Sequence, residues 1–362
     1  MEYTIHLGDF EPFINAIKQG FIFTLTIGTT DVSLIPGITI AGAKPELTHF
    51  TPAADAEYLL LGKCRVINTV PMTPDGKPTP ALITRAALRL INAGVLVVNA
   101  GSRVKPLIPH VDLQGEPGLD IIKSDALRRN VVERMVDNGL VLGENLGRSF
   151  RVLIIGESIP ASTTTAMAFL VAMGYDAWHK MSSASPTNPR ELKISVVKRA
   201  LERAGVSKAL DDPILAVSKV GDPVIPAMAS IAIGAARAES HVILAGGTQM
   251  GAVLAFIKAF DKSALSRLAI ATTRWLINDK SADLVGLVKE IHPIPVVSSN
   301  LNFDDMPYEG LRAFEESFIK EGVGAGGSLV AASIMGFDLG RVKMAILRDY
   351  EELLKTLRVQ GM

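Results

Sequence analysis

The 362-residue sequence holds a single cysteine, Cys64. An intrachain disulfide and a cysteine-built zinc cage are therefore excluded, and a reducing cytoplasm suits the chain. Neither sign of charge is in surplus: 37 Lys and Arg balance 37 Asp and Glu. Proteins that grip nucleic-acid backbones usually carry a basic excess, so the balance points away from that class. No apolar stretch reaches the roughly 18 uninterrupted residues of a membrane-spanning helix. The start, Met1-Glu2-Tyr3-Thr4, shows no basic segment followed by an apolar run, so no signal peptide is expected. The six histidines (His6, His49, His110, His179, His241, His292) lack the spacing of metal ligands. No metal and no cofactor is expected. A G-x-S-x-G nucleophile elbow is absent as well.

What the sequence has is apolar residues, 48 % of the chain. They come in short bursts, the pattern of parallel strands buried on both faces. Strands are expected at 152–155, 214–217, 241–244, 268–271 and 294–297. Helices are expected at 163–174, 189–204, 223–236, 251–260, near 281–290, at 306–320 and at 326–335. In the first half, 21–27, 58–61 and 95–98 read as strands, 81–92 as a helix and 101–121 as a long loop. Strands alternating with helices mean β-α units, hence a doubly wound, mostly parallel α/β sheet of Rossmann-like type with a small helical lobe. No linker or repeat divides residues 1–362, so one domain is expected, with the terminal helices as the source of the lobe.

In such sheets ligands sit beyond the carboxyl ends of the strands, so the loops after strands are the places for chemistry. Gly156-Glu157-Ser158 is followed by Thr163 and Thr164 at a helix start. Free N–H groups there suit an anion, or the hydroxyls are ordinary helix caps. Lys193 opens an amphipathic helix, as a phosphate partner or as a solvated lysine. Gly221-Asp222, Gly246-Gly247-Thr248 and Ser298-Ser299 occupy related turns. The run Glu321-Gly322-Val323-Gly324-Ala325-Gly326-Gly327-Ser328 puts a carboxylate at the head of four glycines. It is not a P-loop, because no Lys-Ser/Thr follows. Glu321 is either a surface glutamate on a hinge or a general base with a raised pKa.

Taken in order, these segments resemble the nicotinate-nucleotide–dimethylbenzimidazole phosphoribosyltransferase family, in its archaeal branch. The resemblance runs over about 151–335. It is carried by Gly156-Glu157 through Thr163-Thr164-Thr165-Ala166, by Lys193 in Glu191-Leu192-Lys193-Ile194, by Val220-Gly221-Asp222-Pro223 with Ala227-Met228-Ala229, by Val242 to Thr248, and by Glu321-Gly322-Val323-Gly324-Ala325. The chain departs from the family's pattern at Ala245-Gly246-Gly247, where bacterial members place an Asp. It also departs at Val98-Asn99-Ala100-Gly101-Ser102, where an acid and a histidine are missing.

The resemblance implies a cytoplasmic pentosyltransferase of cobalamin biosynthesis, a homodimer without metal. It would pass phosphoribose from nicotinate mononucleotide to a benzimidazole-type base, giving an α-ribosyl 5′-phosphate and nicotinate. It implies Glu321 as base and Glu157 near the ribose. Lys193 would face the phosphate, with Gly156, Ser158, Thr163, Thr164, Gly221, Asp222, Gly246, Gly247, Thr248, Ser298, Ser299, Gly322, Gly324, Gly326, Gly327, Asn99 and Ser102 around the substrates. Only small-molecule partners are implied. Two alternatives stand beside it: a non-catalytic nucleotide-binding protein of the same fold, and the same chemistry on another base such as adenine.

Overall fold

Strand β5 of the sheet spans Val152–Ser158, and all its residues are buried. Successive side chains alternate, so Val152 and Ile154 enter one core while Leu153 and Ile155 enter the other. That two-sided burial is what the uninterrupted apolar burst signifies. The structure is a computed structural model describing residues 2–42, 45–69, 71–73 and 76–359.

The other strands are β1 (Tyr3–Leu7), β2 (Phe21–Gly28), β3 (Val95–Gly101), β4 (Val111–Asp112), β6 (His241–Ala245), β7 (Leu268–Thr273) and β8 (Val296–Ser299). Their order is β1-β8-β7-β6-β5-β2-β3-β4. Among the described strands of this sheet, only β1 runs antiparallel, against β8; the other strand pairs are parallel. Winding proceeds outward from β2 to β4, then restarts at β5 on the other side of β2. The crevice between β2 and β5 is thus the switch point at which such sheets bind ligands.

Helices α1 (Glu11–Gln19), α2 (Thr51–Leu61) and α3 (Ala81–Leu90) cover one face. The opposite face carries α4 (Arg129–Ser149), α5 (Ser162–Ala172), α6 (Arg190–Arg203), α7 (Pro213–Val220), α8 (Val224–Arg237) and α9 (Met250–Phe260). After the single turn α10 (Arg274–Ile277) comes α11 (Leu284–Ile291) on that face, then the turn α12 (Glu309–Arg312). Helices α13 (Ala325–Ile334) and α14 (Leu339–Val359) return to the first face, where both pack on α3. The mostly parallel α/β architecture expected from sequence is present.

Several local expectations are corrected. Residues 214–217 are helical, not a strand: Asp212 accepts from the N–H groups of Ile214 at 2.9 Å and Leu215 at 3.1 Å, capping α7 at its Pro213. Residues 58–61 close α2 instead of forming a strand. Of the helix expected at 306–320 only the turn α12 exists. The expected strand 294–297 begins two residues later. The apolar residues near the N-terminus lie in the chain's own core: Phe10, Phe13, Ile17 and Phe23 are at most 3 % exposed.

Candidate active site

At the carboxyl end of β5 the chain delivers Glu157 and Ser158 into a cavity of about 420 Å3. Glu157 is buried, and its Oε1 accepts from Gln249 Nε2 at 2.5 Å. Burial is the main reason its pKa is pushed up to about 8; the nearby Asp222, Glu321 and Asp55 push the same way, against the Gln249 hydrogen bond.

Glu321 enters from the turn before α13, which lies beside the end of β5: the Val323 N–H donates to the Glu157 carbonyl at 2.9 Å. Its Oε1 accepts from the N–H groups of Gly322 at 3.2 Å and Gly326 at 3.1 Å, and its Oε2 from Thr272 Oγ1 at 3.3 Å. Desolvation outweighs these donors and raises its pKa to about 7. A third carboxyl, Asp55 on α2, accepts from Thr79 Oγ1 and Ser158 Oγ, both at 2.7 Å. Burial raises it to about 6 against those two bonds. Three acids with pKa values near neutrality thus share one cavity, and neutral donors hold all three. Among the described residues, no three His, Cys, Asp or Glu side chains group as a metal site.

The glycines of this turn are packing devices. Gly324 has φ +70°, and a Cβ on Gly326 would lie 2.1 Å from the carbonyl carbon of Thr272. The turn therefore rides directly on β7 and on Gly156 of β5, which fixes where Glu321 projects.

The first half of the chain gives the lining apolar side chains, Ile38, Ile40, Ile67 and Met72, beside the polar Thr39, Thr51 and Thr79. Ser162, Thr163, Ser182, Ser183, Gly247 and Lys320 add polar lining from the second half.

Of the residues singled out in the sequence, Glu157, Ser158, Thr163, Gly247, Glu321 and Gly322 line the cavity. Lys193 does not. It is 1 % exposed and donates to the Ser182 carbonyl at 2.5 Å, behind the wall. Burial, with Lys320 nearby, lowers its pKa to about 7. Thr248 is also behind the wall, where its Oγ1 accepts from the Ser182 N–H at 3.1 Å.

Asp222 caps the start of α8 and accepts from Thr165 at 2.5 Å. Thr164 is fully buried, and Gly221 and Gly246 pack against Val217 and Met250. Gly324, Gly326 and Gly327 contact strands instead of the cavity. Ser298 meets His6 at the β1–β8 edge, and Ser299 accepts from the Leu301 N–H. Asn99 holds the N–H groups of Gly101 and Ser102, outside the lining. Sequence reading missed Asp55, Gln249, Lys320 and the 182–184 segment. Only Gln249 carried a signal, its place just after the Gly246-Gly247-Thr248 turn.

A sequence profile described as phosphoribosyltransferase matches residues 81–273, more than half of the chain. The UPF0284 protein of Saccharolobus islandicus strain M.14.25 is 51 % identical over 344 residues, covering 95 % of this chain and 96 % of its own. The UPF0284 protein of Sulfolobus acidocaldarius is 52 % identical over 340 residues, covering 94 % and 97 %. The fold matches nicotinate-nucleotide–dimethylbenzimidazole phosphoribosyltransferase from Thermus thermophilus with a TM-score of 0.58 at 15 % identity, over 87 % of this chain and 82 % of that one. No helix among the described residues is long and apolar enough to cross a membrane. A cavity at the sheet's switch point, the profile across it and near-full-length relatives lead to one assignment: the chain is a phosphoribosyltransferase belonging to the nicotinate-nucleotide–dimethylbenzimidazole phosphoribosyltransferase family.

Proposed function

We propose that the enzyme transfers phosphoribose from nicotinate mononucleotide to a benzimidazole-type base, in the assembly of the cobalamin lower ligand. The observation that carries this reading is the pair of glutamates, raised to about 8 and about 7, opening into one cavity lined in part by apolar side chains. The bond from C1′ to the nicotinate nitrogen breaks, and its electron pair neutralises the pyridinium. The unprotonated ring nitrogen of the base bonds C1′ from the opposite face, and the proton on the other ring nitrogen goes to Glu321. A base poised near neutral pH is suited to that transfer. Glu157 holds its proton at neutral pH and hydrogen-bonds a ribose hydroxyl, which orients the sugar for attack. The apolar side chains of the lining stack the aromatic acceptor, and its polar groups take the phosphate. The expected form is a cytoplasmic homodimer, which light scattering of the purified protein checks.

Incubating the protein with nicotinate mononucleotide and a panel of bases tests the reading. The panel would hold dimethylbenzimidazole, benzimidazole, adenine and a phenol, with mass detection of α-ribosyl phosphates. Product with a benzimidazole is expected. Product with adenine alone would move the acceptor class, and no product with any base would sink the proposal.

A further inference from the structure

Helix α2 turns one face to the cavity. Thr51, Ala54 and Asp55 all line it, at the spacing that puts side chains on the same side of a helix. Asp55 shares the first-half lining with the apolar Ile38, Ile40, Ile67 and Met72, to which the reading above gives the aromatic acceptor. It is 4 % exposed.

The protons around this carboxyl are committed. Thr79 Oγ1 accepts from the Ala81 N–H at 3.3 Å and directs its own proton to Asp55 Oδ1 at 2.7 Å. Ser158 Oγ donates to Asp55 Oδ2, also at 2.7 Å. Each hydroxyl has one proton and gives it to the carboxyl, so Asp55 is an acceptor on both oxygens. With a pKa of about 6 it is ionised at neutral pH. Among the described residues no Lys, Arg or His forms an ion pair with it. The ammonium of Lys77, on the same lining, lies 4.3 Å from the centre of the Phe318 ring.

An ionised carboxylate offers about four lone-pair sites, and the two hydroxyls take two. A buried acceptor of this kind is rarely left short of donors. A ligand that presses carbon against it removes water and supplies no partner, which is costly. In the reaction above both imidazole nitrogens of the acceptor are engaged, one at C1′ and the other with Glu321. The edge left for Asp55 is the six-membered ring.

We infer that Asp55 is a specificity residue of the acceptor subsite. It selects benzimidazole-type bases that bear a hydrogen-bond donor, a hydroxyl or an amino group, on the six-membered ring, over bases with methyl groups there. Asp55 exchanges no proton in the reaction; it accepts the donor's hydrogen bond. The identity of the ligand rests on the phosphoribosyl-transfer reading.

A competition assay reads the preference. Nicotinate mononucleotide would be supplied with equal amounts of 5-hydroxybenzimidazole and 5-methoxybenzimidazole, which differ in the donor proton, and the products counted by mass. The wild type is expected to favour the hydroxyl base by at least about tenfold. Asp55→Asn keeps the size and removes the charge, and Asp55→Leu removes the acceptor; both should bring the ratio toward one. A purely structural role would lower both products together and leave the ratio where it was, so partial unfolding does not imitate the result. An even wild-type ratio, or a preference undiminished in the folded variants, would overturn the inference. Should neither variant fold, the wild-type ratio decides. If neither base yields product, calorimetry of the two bases on the same proteins takes the assay's place. There, an Asp55-dependent preference upholds the specificity and sinks only the reaction reading, and equal binding overturns the specificity.

Discussion

At the scale of single residues, the proposed reaction assigns the two glutamates different work. Glu321→Gln keeps size and removes basicity, so kcat should fall by roughly 10²–10⁴-fold with nucleotide affinity nearly intact. The wild-type rate should rise with pH through the ionisation of Glu321 at about 7, and the variant should lose that limb. A steady-state pH profile of both proteins checks this. Glu157→Gln serves as the control: if it costs more than Glu321→Gln, the base is the other carboxyl. Gly326 has a different consequence. Its absent Cβ is what lets the turn lie on Thr272, and its N–H holds Glu321. Gly326→Val should therefore unfold the protein or sharply lower Tm, visible in a thermal melt, because the clash is with backbone.

The positions of Glu157 and Glu321 were legible in the sequence because one sits where a strand ends and the other at the head of a glycine turn, and ligands collect at such places. Lys193 was legible as unusual and misplaced in space. An amphipathic helix does not reveal which partner covers its basic residue, and here the Ser182 carbonyl does. Asp55 and Lys320 left no trace, since a lone acid in an apolar helix and a lysine beside Glu321 have no pattern of their own.

At the scale of elements, errors came where local signals competed. The apolar stretch at 214–217 looked like a strand, although Asp212-Pro213 is a helix start of cap and first-turn proline. Helix α4 was missed because Gly139, Gly143 and Gly147 depress helix propensity. Their purpose is tertiary: a Cβ on Gly143 would lie 2.1 Å from the Ile231 carbonyl oxygen of α8. These two effects have opposite signs, and contact should win. Gly143→Ala gains about 1 kcal/mol of intrinsic helix propensity but forces two backbones apart, at a typical overpacking cost of about 1–3 kcal/mol. A net loss of stability in denaturant unfolding is expected. A gain would mean that the helices separate without penalty.

At the scale of the whole molecule, the buried acids make stability depend on pH. Glu157 has a folded pKa of about 8 against an ordinary value of 4.5. The native state therefore binds this proton more tightly than the unfolded chain does. The contribution is complete below about 4.5 and disappears as pH rises through about 8. Glu321 and Asp55 act in the same direction up to about 7 and about 6. Lys193, depressed to about 7, acts oppositely above that pH, so the informative quantity is a difference between proteins. Glu157→Gln should leave Tm nearly unchanged at pH 5 and raise it by roughly 2–5 °C at pH 9, relative to wild type. Equal shifts at both pH values would place the Glu157 pKa in the ordinary range.

The antiparallel pairing of β1 with β8 sets a schedule for assembly. Strand β1 is synthesised first, but its partner β8 lies at Val296–Ser299, with Tyr3 opposite Ser299. Nearly the whole chain must leave the ribosome before the first strand finds its place. The latch is then completed by His6 on Ser298, the Asn300 N–H on the Glu2 carbonyl and the Leu339 N–H on the Glu2 carboxylate. Until that moment the outer side of β8 is an open template for any passing strand. Deleting residues 1–8 should yield a folded sheet that multimerises through β8, with light scattering rising with concentration. A synthetic peptide of those residues, added in trans, should suppress it. The opening residues act as a stopper on a surface that would otherwise recruit neighbours.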